Sequence, residues 1–430
     1  MIRRDRYLKM LIDRRENGMI KVVTGIRRCG KSYLLTEIYH RYLNETGVDD
    51  AQIIELALDD DLNARYRNPL ELGQYIRSLV TDRGKMYYVI LDEIQKVAQI
   101  PNPYLSGTDD TIGFVDVLLG LQKLRNVDLY VTGSNSKMLS TDILTEFRGR
   151  GDEIRVNPLS FAEYCAAPGV DPRSAWRDYS VYGGMPLVPA QKTPEDKSRY
   201  LHLLVDKIYL DDIIGRHAIQ NEKDVLDDLL NVVASSVGSL TNPAKIQRTF
   251  DSVLHKKIAD DTISRYLAYF VDAFLLYRAR RYDVKGRKYI GTPLKYYFSD
   301  VGLRNAQLGF RQQEENHIME NVLYNELTVR GFDVDVGVVT GYEQASGRSV
   351  RVQREVDFVA NRGNDRYYIQ SAYAIPDEEK RRQETASLLG IDDSFRKIVV
   401  QRESIVPWRD ERGILYVGVE DFLLDPSFMR

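Results

Sequence analysis

An eight-residue segment near the start of the chain has the residue types and the spacing of a phosphate-binding loop. It reads Gly25-Ile26-Arg27-Arg28-Cys29-Gly30-Lys31-Ser32, which follows the pattern G-x-x-x-x-G-K-[ST]. The two glycines let the backbone curl until its N–H groups face an anion. The lysine can reach the β- and γ-phosphates of a nucleotide, and the serine hydroxyl is a ligand for Mg²⁺. The segment, extended by Tyr33, therefore predicts contacts to ATP and Mg²⁺.

A pair of acids follows a second apolar segment, at residues 86–91. Asp92 is expected to hold Mg²⁺ through water, and Glu93 to orient and deprotonate the water that attacks the γ-phosphate. An ordinary acidic turn at the end of a strand is the other interpretation, and the phosphate-binding loop upstream weighs against it. The order Asp-Glu favours hydrolysis over binding alone.

Short apolar segments are expected to form the strands that carry these loops. They lie at residues 19–24, 53–58, 86–91 and 129–132, and residues 33–39 repeat apolar side chains at helical spacing. Such an order predicts an α/β domain with a parallel sheet, whose ligands bind at the carboxyl ends of the strands. Asn135 or Ser134 is then the predicted sensor of the γ-phosphate, with an ordinary strand-ending turn as the alternative.

Two arginines beside flexible glycines, Arg148 and Arg150, are candidates for a finger that stabilises charge on the transferring phosphoryl group. The finger can act in its own subunit or in a neighbour's, and the second case requires an oligomer. Solvated surface arginines are the alternative interpretation.

Composition limits the class of protein. The chain has 430 residues, of which 43% are hydrophobic and 29% charged, and this is the balance of a folded protein with several domains. The sequence has no long apolar segment and no signal-like start, so we expect a cytoplasmic protein without a membrane partner. Two cysteines, Cys29 and Cys165, argue against a disulfide framework. The net charge of −3 restricts any contact with a polyanion to a local patch.

The ordered motifs resemble those of a known family. They are G-x-R-R-x-G-K-S, L-D-E-I-Q, T-G-S-N-S, F-R-G-R, P-L-S-F and Tyr182-Gly183-Gly184-Met185-Pro186. Over essentially its full length the chain is similar to prokaryotic AAA-type ATPases, which carry an archaeal-ATPase-like module followed by a C-terminal region of nuclease-like fold. The resemblance implies an ATPase and matches Gln95 to a position that couples the ATP site to a substrate or partner. A glutamine that starts a helix explains Gln95 nearly as well.

The sequence pattern in the middle of the chain predicts a helical lid followed by a winged helix-turn-helix. In the second of these, residues 261–267 start the helix expected in a major groove, and a predicted hairpin follows. Basic side chains of that hairpin are the candidate contacts to DNA or RNA: Arg278, Arg280, Arg281, Lys285, Arg287 and Lys288. Docking onto protein is an equally supported interpretation.

The C-terminal region resembles the restriction-endonuclease-like core, in which a helix glutamate, a strand aspartate and an E-x-K triplet gather Mg²⁺ and activate water. Glu320 and Asp357 match the first two positions, but the triplet reads Gln370-Ser371-Ala372. Glu355 is expected on the opposite face of the strand. We therefore predict a degenerate domain that serves a structural or binding role and is not an active nuclease.

These features divide the chain into four predicted domains: a P-loop AAA-type ATPase domain (1–160), a helical lid (161–218), a winged helix-turn-helix (219–302) and a degenerate restriction-endonuclease-like domain (303–430). The leading hypothesis is Mg²⁺-dependent ATP hydrolysis coupled to movement of the winged-helix and nuclease-like tail. A slow nucleotide-dependent switch or oligomeric scaffold that binds protein partners is the first alternative. An active nuclease in defence is the second.

Overall fold

The computed structural model describes residues 2–133, 149–217, 219, 223–311, 314–345 and 348–430. These residues form two compact units, the first comprising Met1–Pro158 with Asp272–Phe274 and the second comprising Leu159–Val271 with Leu275–Arg430. No helix of the described ranges is long and apolar enough to cross a membrane.

The first unit alternates helices and strands. In chain order these are α1 (Asp5–Asp13), β1 (Ile20–Thr24), α2 (Lys31–Tyr33, a π-helical turn Leu34–Tyr39, then His40–Glu45), β2 (Ile53–Ala57), α3 (Pro69–Leu79), β3 (Tyr87–Asp92), a ribbon of β4 (Ile100–Pro101) and β5 (Thr111–Ile112), α4 (Phe114–Gln122), β6 (Val127–Thr132) and β7 (Gly151–Arg155). Short 3-10 helices lie at Asp50–Gln52, Asp61–Arg67 and Ile94–Lys96.

The main sheet of this unit is parallel. Among the described residues its strands lie in the order β2-β3-β6-β1-β7, with Val23 of β1 beside Thr132 of β6 and Leu91 of β3 beside Val131 of β6. The predicted strands are confirmed, and β7 is a strand that the sequence did not predict. Because β6 separates β1 from β3, its carboxyl end lies between the phosphate-binding loop and the two acids.

Local sequence explains these elements. Every residue of β1 is buried, and β3 is buried up to its terminal acid, so their near-continuous apolar sequences suit a sheet covered on both faces. Helix α3 begins where the Asn68 side chain accepts hydrogen bonds from the amides of Leu70 and Glu71, at 3.0 and 3.4 Å, and Pro69 occupies its first turn. Both features are standard start signals of a helix.

A buried ion pair ties β1 to β6. The Lys21 ammonium contacts the Asp128 carboxylate, and both side chains are at most 3% exposed. Asp128 also accepts hydrogen bonds from the backbone amide of Glu16 at 2.9 Å and from the Tyr130 hydroxyl at 2.7 Å. The Tyr130 hydroxyl in turn lies 2.6 Å from that of Tyr39 on helix α2. Burial lowers the pKa of Lys21, and the Asp128 carboxylate opposes this shift.

The second unit has helices along its whole length. They are α5 (Phe161–Cys165), α6 (Ala175–Tyr182), α7 (Pro194–Leu203, a π-helical turn Leu204–Tyr209, then Leu210–His217), α8 (Lys223–Ser235), α9 (Pro243–Val253), α10 (Asp260–Asp272), α11 (Val301–Gln307), α12 (Glu315–Val329), α13 (Glu378–Leu389) and α14 (Val419–Leu424), and a 3-10 turn lies at Pro426–Met429. Its strands are β8 (Leu276–Asp283), β9 (Lys288–Phe298), β10 (Asp333–Ala345), β11 (Arg348–Arg362), β12 (Asp365–Ala372), β13 (Arg396–Gln401), β14 (Trp408–Arg409) and β15 (Leu415–Gly418).

These strands form one mixed sheet in the order β14-β15-β13-β12-β11-β10-β8-β9, within the described ranges. The hairpin β8–β9 follows helices α8 to α10, and an isolated bridge joins Thr241 to Leu294 of β9. Strand β8 then pairs in parallel with β10. The predicted wing and the predicted nuclease-like core therefore share a continuous sheet, whereas the division into four domains stays a prediction.

The glycine-rich motif at residues 182–186 surrounds a buried aspartate. The Asp300 carboxylate accepts hydrogen bonds from the amide of Gly184 at 2.6 Å and from that of Leu303 at 3.1 Å. A Cβ on Gly183, whose φ is +68°, would lie 2.1 Å from an Asp300 oxygen. Only glycine fits this position, so the motif has a structural role in the start of helix α11.

We expect Asp128→Asn to destabilise the first unit, because it leaves the Lys21 ammonium buried without its carboxylate. Removing one partner of a buried pair costs about 3–5 kcal/mol, and denaturant unfolding of the full chain measures the loss. Asp13→Asn is the control, since its partner Lys9 is 74% exposed and surface pairs contribute little. Equal unfolding free energies for the Asp128→Asn variant and the unmodified chain would contradict the expectation.

Candidate nucleotide site

The phosphate-binding loop has the backbone shape that its glycines predict. Gly25 has a φ of +140° and Gly30 a φ of +97°, while Arg28 between them also has a positive φ of 66°. A Cβ on Gly25 would lie 2.0 Å from the carbonyl oxygen of Val156. Gly25 is therefore required both by its conformation and by the chain that passes directly beside it.

Helix α2 begins at Lys31, so the loop ends at a helix amino terminus, where free amides and the helix dipole favour a phosphate. Lys31 is 5% exposed, and its ammonium lies 3.0 Å from the carbonyl oxygen of Gly25 and 3.2 Å from that of Ile26. The lysine is thus folded against the loop. Ile26 and Cys29 are buried beneath the loop, whereas its outer side chains are exposed, namely Arg27, Arg28, Ser32 and Tyr33.

The two predicted acids are held by a hydroxyl that the sequence analysis did not single out. Thr132, the last residue of β6, is fully buried. Its Oγ1 donates to Asp92 Oδ1 and accepts from the backbone amide of Glu93 at 3.1 Å. One hydroxyl can do both. The sequence does contain a sign of this role, because Thr132 is a polar residue at the end of a predicted strand. The prediction named the more polar residues that follow it instead.

Glu93 has a strained backbone and a restrained carboxylate. Its φ of 53° and ψ of 50° are left-handed, a conformation that a residue other than glycine adopts at a cost. The side-chain amide of Gln95 donates to Glu93 Oε2. Gln95 is therefore placed to control the orientation of the predicted base, whereas its coupling to a substrate or partner stays a prediction.

A second layer missed by the sequence analysis supports the loop from behind. Arg4, only 3% exposed, donates to the carbonyl oxygen of Cys29 at 3.3 Å and to that of Asn157 at 2.6 Å. The Tyr7 hydroxyl accepts from the Asn157 amide at 3.1 Å. The amino-terminal helix and the segment after β7 thereby fix the back of the loop, a long-range arrangement that no local pattern shows.

The remaining predicted residues of this site have separate outcomes. Ser134, Asn135 and Arg148 lie outside the described residues. Arg150 is exposed, and its carbonyl oxygen accepts from the amide of Ile20 at 2.8 Å, at the amino end of β1. The loop starts at the other end of this strand. Because the strand has five residues with a rise of about 3.3 Å each, its two ends lie about 13 Å apart. This distance disfavours Arg150 as a finger for its own subunit, and action on a neighbour stays a prediction.

The arrangement fits ATP with Mg²⁺. The glycines form a cradle that a side chain would fill, the lysine lies within that cradle, and Ser32 follows it at the helix start. Asp92 lies at the carboxyl end of β3, with one carboxylate oxygen bound to Thr132. These groups provide the hard oxygen ligands and the phosphate cradle that Mg·ATP requires.

The predicted basic residues lie on the hairpin of the second unit. Arg278, Arg280, Lys285, Arg287 and Lys288 are exposed and Arg281 is half-buried. The Arg280 guanidinium lies 4.1 Å from the centre of the Tyr289 ring and 3.8 Å from Asp335. The hairpin therefore has an exposed positive surface, although Asp335 neutralises part of it.

The nuclease-like residues come together in the second unit, with one correction. Glu320 and Asp357 are buried and lie around the ammonium of Lys295, a strand β9 residue that the sequence analysis missed. The expected opposite orientation of Glu355 is wrong, because its carboxylate lies 2.6 Å from the same ammonium. Residues two apart in a strand share a face. Gln370 lines an open groove of about 770 Å³ with Glu355, Arg354 and Arg382.

The chain is similar to known proteins along most of its length. Residues 17–165 match the AAA domain family, and residues 173–314 match a domain of unknown function. An uncharacterised protein of Haemophilus influenzae is 32% identical over 99% of both chains. An uncharacterised protein of Methanocaldococcus jannaschii is 26% identical over 98% of this chain and 88% of its own. The Walker-type ATPase of Pyrococcus abyssi has a TM-score of 0.48 at 15% identity, covering 72% of this chain and 96% of its own.

We expect Thr132→Val to slow ATP turnover with little change in ATP affinity. The variant keeps the side-chain shape but removes the hydroxyl that joins Asp92 to Glu93. Losing a hydrogen bond to a charged group costs about 1.5–3 kcal/mol, roughly a 10- to 100-fold loss in kcat. Steady-state phosphate release measures the loss. Thr385→Val removes another buried hydroxyl, in the second unit, and serves as the control. A normal kcat in Thr132→Val would show that this hydroxyl does not organise the acids.

Proposed function

We propose that this chain, which belongs to the same family as its full-length Haemophilus influenzae relative and carries an AAA domain, uses Mg²⁺-dependent ATP hydrolysis to move a nucleic-acid-binding tail. ATP binding and hydrolysis by the first unit are supported by the AAA domain match. The observation that carries the hydrolytic part of the proposal is the Thr132 hydroxyl, which links Asp92 and Glu93 at the strand beside the phosphate-binding loop.

In this proposal each residue has one task. The loop amides and Lys31 bind the phosphates, and Ser32 and Asp92 hold Mg²⁺, which supplies charge neutralisation on the phosphate oxygens. Glu93 orients the attacking water and accepts its proton, while Gln95 sets the direction of the Glu93 carboxylate. Asn135 is proposed as the γ-phosphate sensor. Arg148 and Arg150 are proposed as fingers that act on a neighbouring subunit of an oligomer.

We expect Lys31→Ala and Glu93→Gln to separate binding from hydrolysis. Without the ammonium, Lys31→Ala should bind ATP at least about 100-fold more weakly, because charged contacts to phosphate dominate the affinity. Glu93→Gln should bind ATP normally and lose about 10²- to 10⁴-fold in kcat, the range of a general base. Fluorescent-nucleotide binding and phosphate release measure the two effects.

Two results would contradict the assignment. Normal hydrolysis by Glu93→Gln would show that Glu93 is not the base. Very slow turnover by the unmodified chain, combined with nucleotide-dependent self-association in mass measurements, would favour the alternative of a regulatory switch or scaffold.

The proposed output of the second unit is nucleic-acid binding through a winged helix-turn-helix, whose wing is the hairpin. The order of helices α8 to α10 followed by hairpin β8–β9, with Thr241 bridged to the hairpin, supports this interpretation. The exposed surface of α10 begins with Asp260 and Asp261, which phosphates would repel. We therefore assign the contact to the hairpin, where positive charge is concentrated.

We expect Lys285→Gln/Arg287→Gln to weaken DNA or RNA binding and to reduce its dependence on salt. Each lost phosphate contact lowers the slope of log K against log salt by about 0.7–0.9, so the double variant should lose about 1.4–1.8. Fluorescence anisotropy over a range of salt concentrations measures this slope. The control is Arg409→Gln/Arg412→Gln, which removes equal charge at the opposite end of the sheet. Identical slopes for the two double variants would favour protein docking instead.

A further inference from the structure

A lysine occupies the centre of the nuclease-like carboxylate cluster. The Lys295 ammonium lies 2.8 Å from Glu320 Oε1, 2.6 Å from Glu355 Oε1 and 3.9 Å from Asp357 Oδ1. Its side chain is 4% exposed. The carboxylates come from helix α12 and strand β11, whereas the lysine comes from strand β9 of the hairpin. The contact therefore joins three elements that are distant in sequence.

Neighbouring groups complete the site around this ammonium. The Tyr297 hydroxyl donates to Glu320 Oε1 at 2.6 Å, and the backbone amide of Ser371 donates to Asp357 Oδ2 at 2.8 Å. Gly238 packs against the other side of Glu320, where a Cβ would lie 3.1 Å from Oε2. Glu320 Oε1 thus receives a second donor besides Lys295, and the Asp357 carboxylate receives a backbone donor at the oxygen that does not face the lysine.

The charges around the lysine shift the pKa values of the groups in the cluster. Burial lowers the pKa of Lys295, but the three carboxylates raise it by more, so the net pKa is raised and the ammonium stays charged. Burial, followed by repulsion from Glu320, raises the pKa of Asp357 well above its ordinary value, although Lys295 opposes the shift. Glu320 and Glu355 make the two short contacts with the ammonium.

We propose that Lys295 is the resident cation of the Glu320–Glu355–Asp357 cluster, and that it replaces the divalent metal of a nuclease. This inference deepens the proposed function, because it assigns the tail a metal-independent binding role in which the cluster fastens the hairpin to the core. Its test is independent of ATP hydrolysis, since stability, Mn²⁺ binding and DNA cleavage are all measured without nucleotide.

A divalent metal does not fit this cluster as it is folded. Mg²⁺ requires near-octahedral oxygen ligands and usually keeps several waters, but Lys295 and Asp357 are only 4% and 11% exposed. In the described parts of the chain, no group of three or more His, Cys, Asp or Glu side chains is arranged to hold a metal ion. Gln370 also lacks the charge of the glutamate expected at its position.

The direct test replaces the lysine and supplies a metal in its place. Lys295→Met in the full chain removes the ammonium but keeps the length of the side chain, which leaves three carboxylates facing one another. We expect this variant to melt at a lower temperature than the unmodified chain and to regain stability in Mn²⁺. It should bind Mn²⁺ at least about tenfold more tightly than the unmodified chain does, as measured by titration with electron paramagnetic resonance.

Matched controls locate the effect. Lys295→Met/Asp357→Asn should lose the gained Mn²⁺ affinity, because one ligand is then neutral. Lys21→Met also removes a buried, ion-paired ammonium, but it leaves Asp128 as the only carboxylate among the contacts described for Lys21. A single carboxylate is a poor site for a divalent ion, so Lys21→Met should gain neither Mn²⁺ binding nor stability in Mn²⁺.

Several outcomes would overturn the proposal. One is a Lys295→Met variant that folds but gains no Mn²⁺ affinity. Another is a Mn²⁺ site in the unmodified chain that Asp357→Asn abolishes, a measurement that remains decisive if Lys295→Met does not fold. A third is Mg²⁺-dependent DNA cleavage by the unmodified chain that Asp357→Ala removes, which would make Lys295 the lysine of an active nuclease.

Discussion

The position of strand β6 determines how the first unit can act on a nucleotide. Because β6 lies between β1 and β3, its terminal Thr132 reaches the two acids at the end of β3, next to the strand that leads into the phosphate-binding loop. The same strand carries Asp128, which pairs with Lys21 of β1. Strand β6 thus contacts the acids at its carboxyl end. Near its amino end, a buried ion pair joins it to the neighbouring strand β1. Helix α2, which starts at the loop, joins this network through Tyr39.

Buried cations have an important structural role in both units. Arg4 supports the back of the phosphate-binding loop, Lys21 holds two central strands together, and Lys295 joins the hairpin to the nuclease-like core. Each is almost completely excluded from solvent and contacts oxygens from distant parts of the sequence. A buried charge that loses its partner is costly, so these contacts favour a single arrangement of the strands around them. In the second unit, Lys295 takes the place of a metal ion in a cluster that resembles a metal site, and the cluster holds the hairpin against the nuclease-like core.

Local patterns in the sequence were sufficient for the elements that carry the chemistry of the first unit. The apolar strands, the glycine spacing of the loop and the acids after β3 all follow from periodicity and residue type, and the parallel α/β sheet is confirmed. Strand β7 escaped prediction because its sequence, Gly-Asp-Glu-Ile-Arg, is mostly polar. Arg4 and Tyr7 escaped because their roles arise from contacts between distant segments, whereas Thr132 was passed over for the more polar residues that follow it.

The second unit shows the same limit more clearly. The altered triplet Gln370-Ser371-Ala372 indicated a missing lysine, yet an ammonium is present in the cluster because strand β9 supplies Lys295 from outside the motif. Alternation along β11 places Glu355 on the same face as Asp357, since residues two apart in a strand share a face, so local sequence was sufficient to predict this position. The hairpin and the nuclease-like strands were assigned to separate domains because sequence patterns do not show the parallel pairing of β8 with β10.

The most direct test of this account is a single-turnover experiment on the unmodified chain, with protein in excess over ATP and with Mg²⁺ present. Quenching at successive times shows whether the bound nucleotide is ATP or ADP. Because Glu93 and Asp92 are held beside the phosphate-binding loop, the account predicts that bound ATP is converted to ADP and phosphate, and that chelating Mg²⁺ stops the conversion. Bound ATP that stays intact in the presence of Mg²⁺ would contradict the central claim that this site hydrolyses its nucleotide.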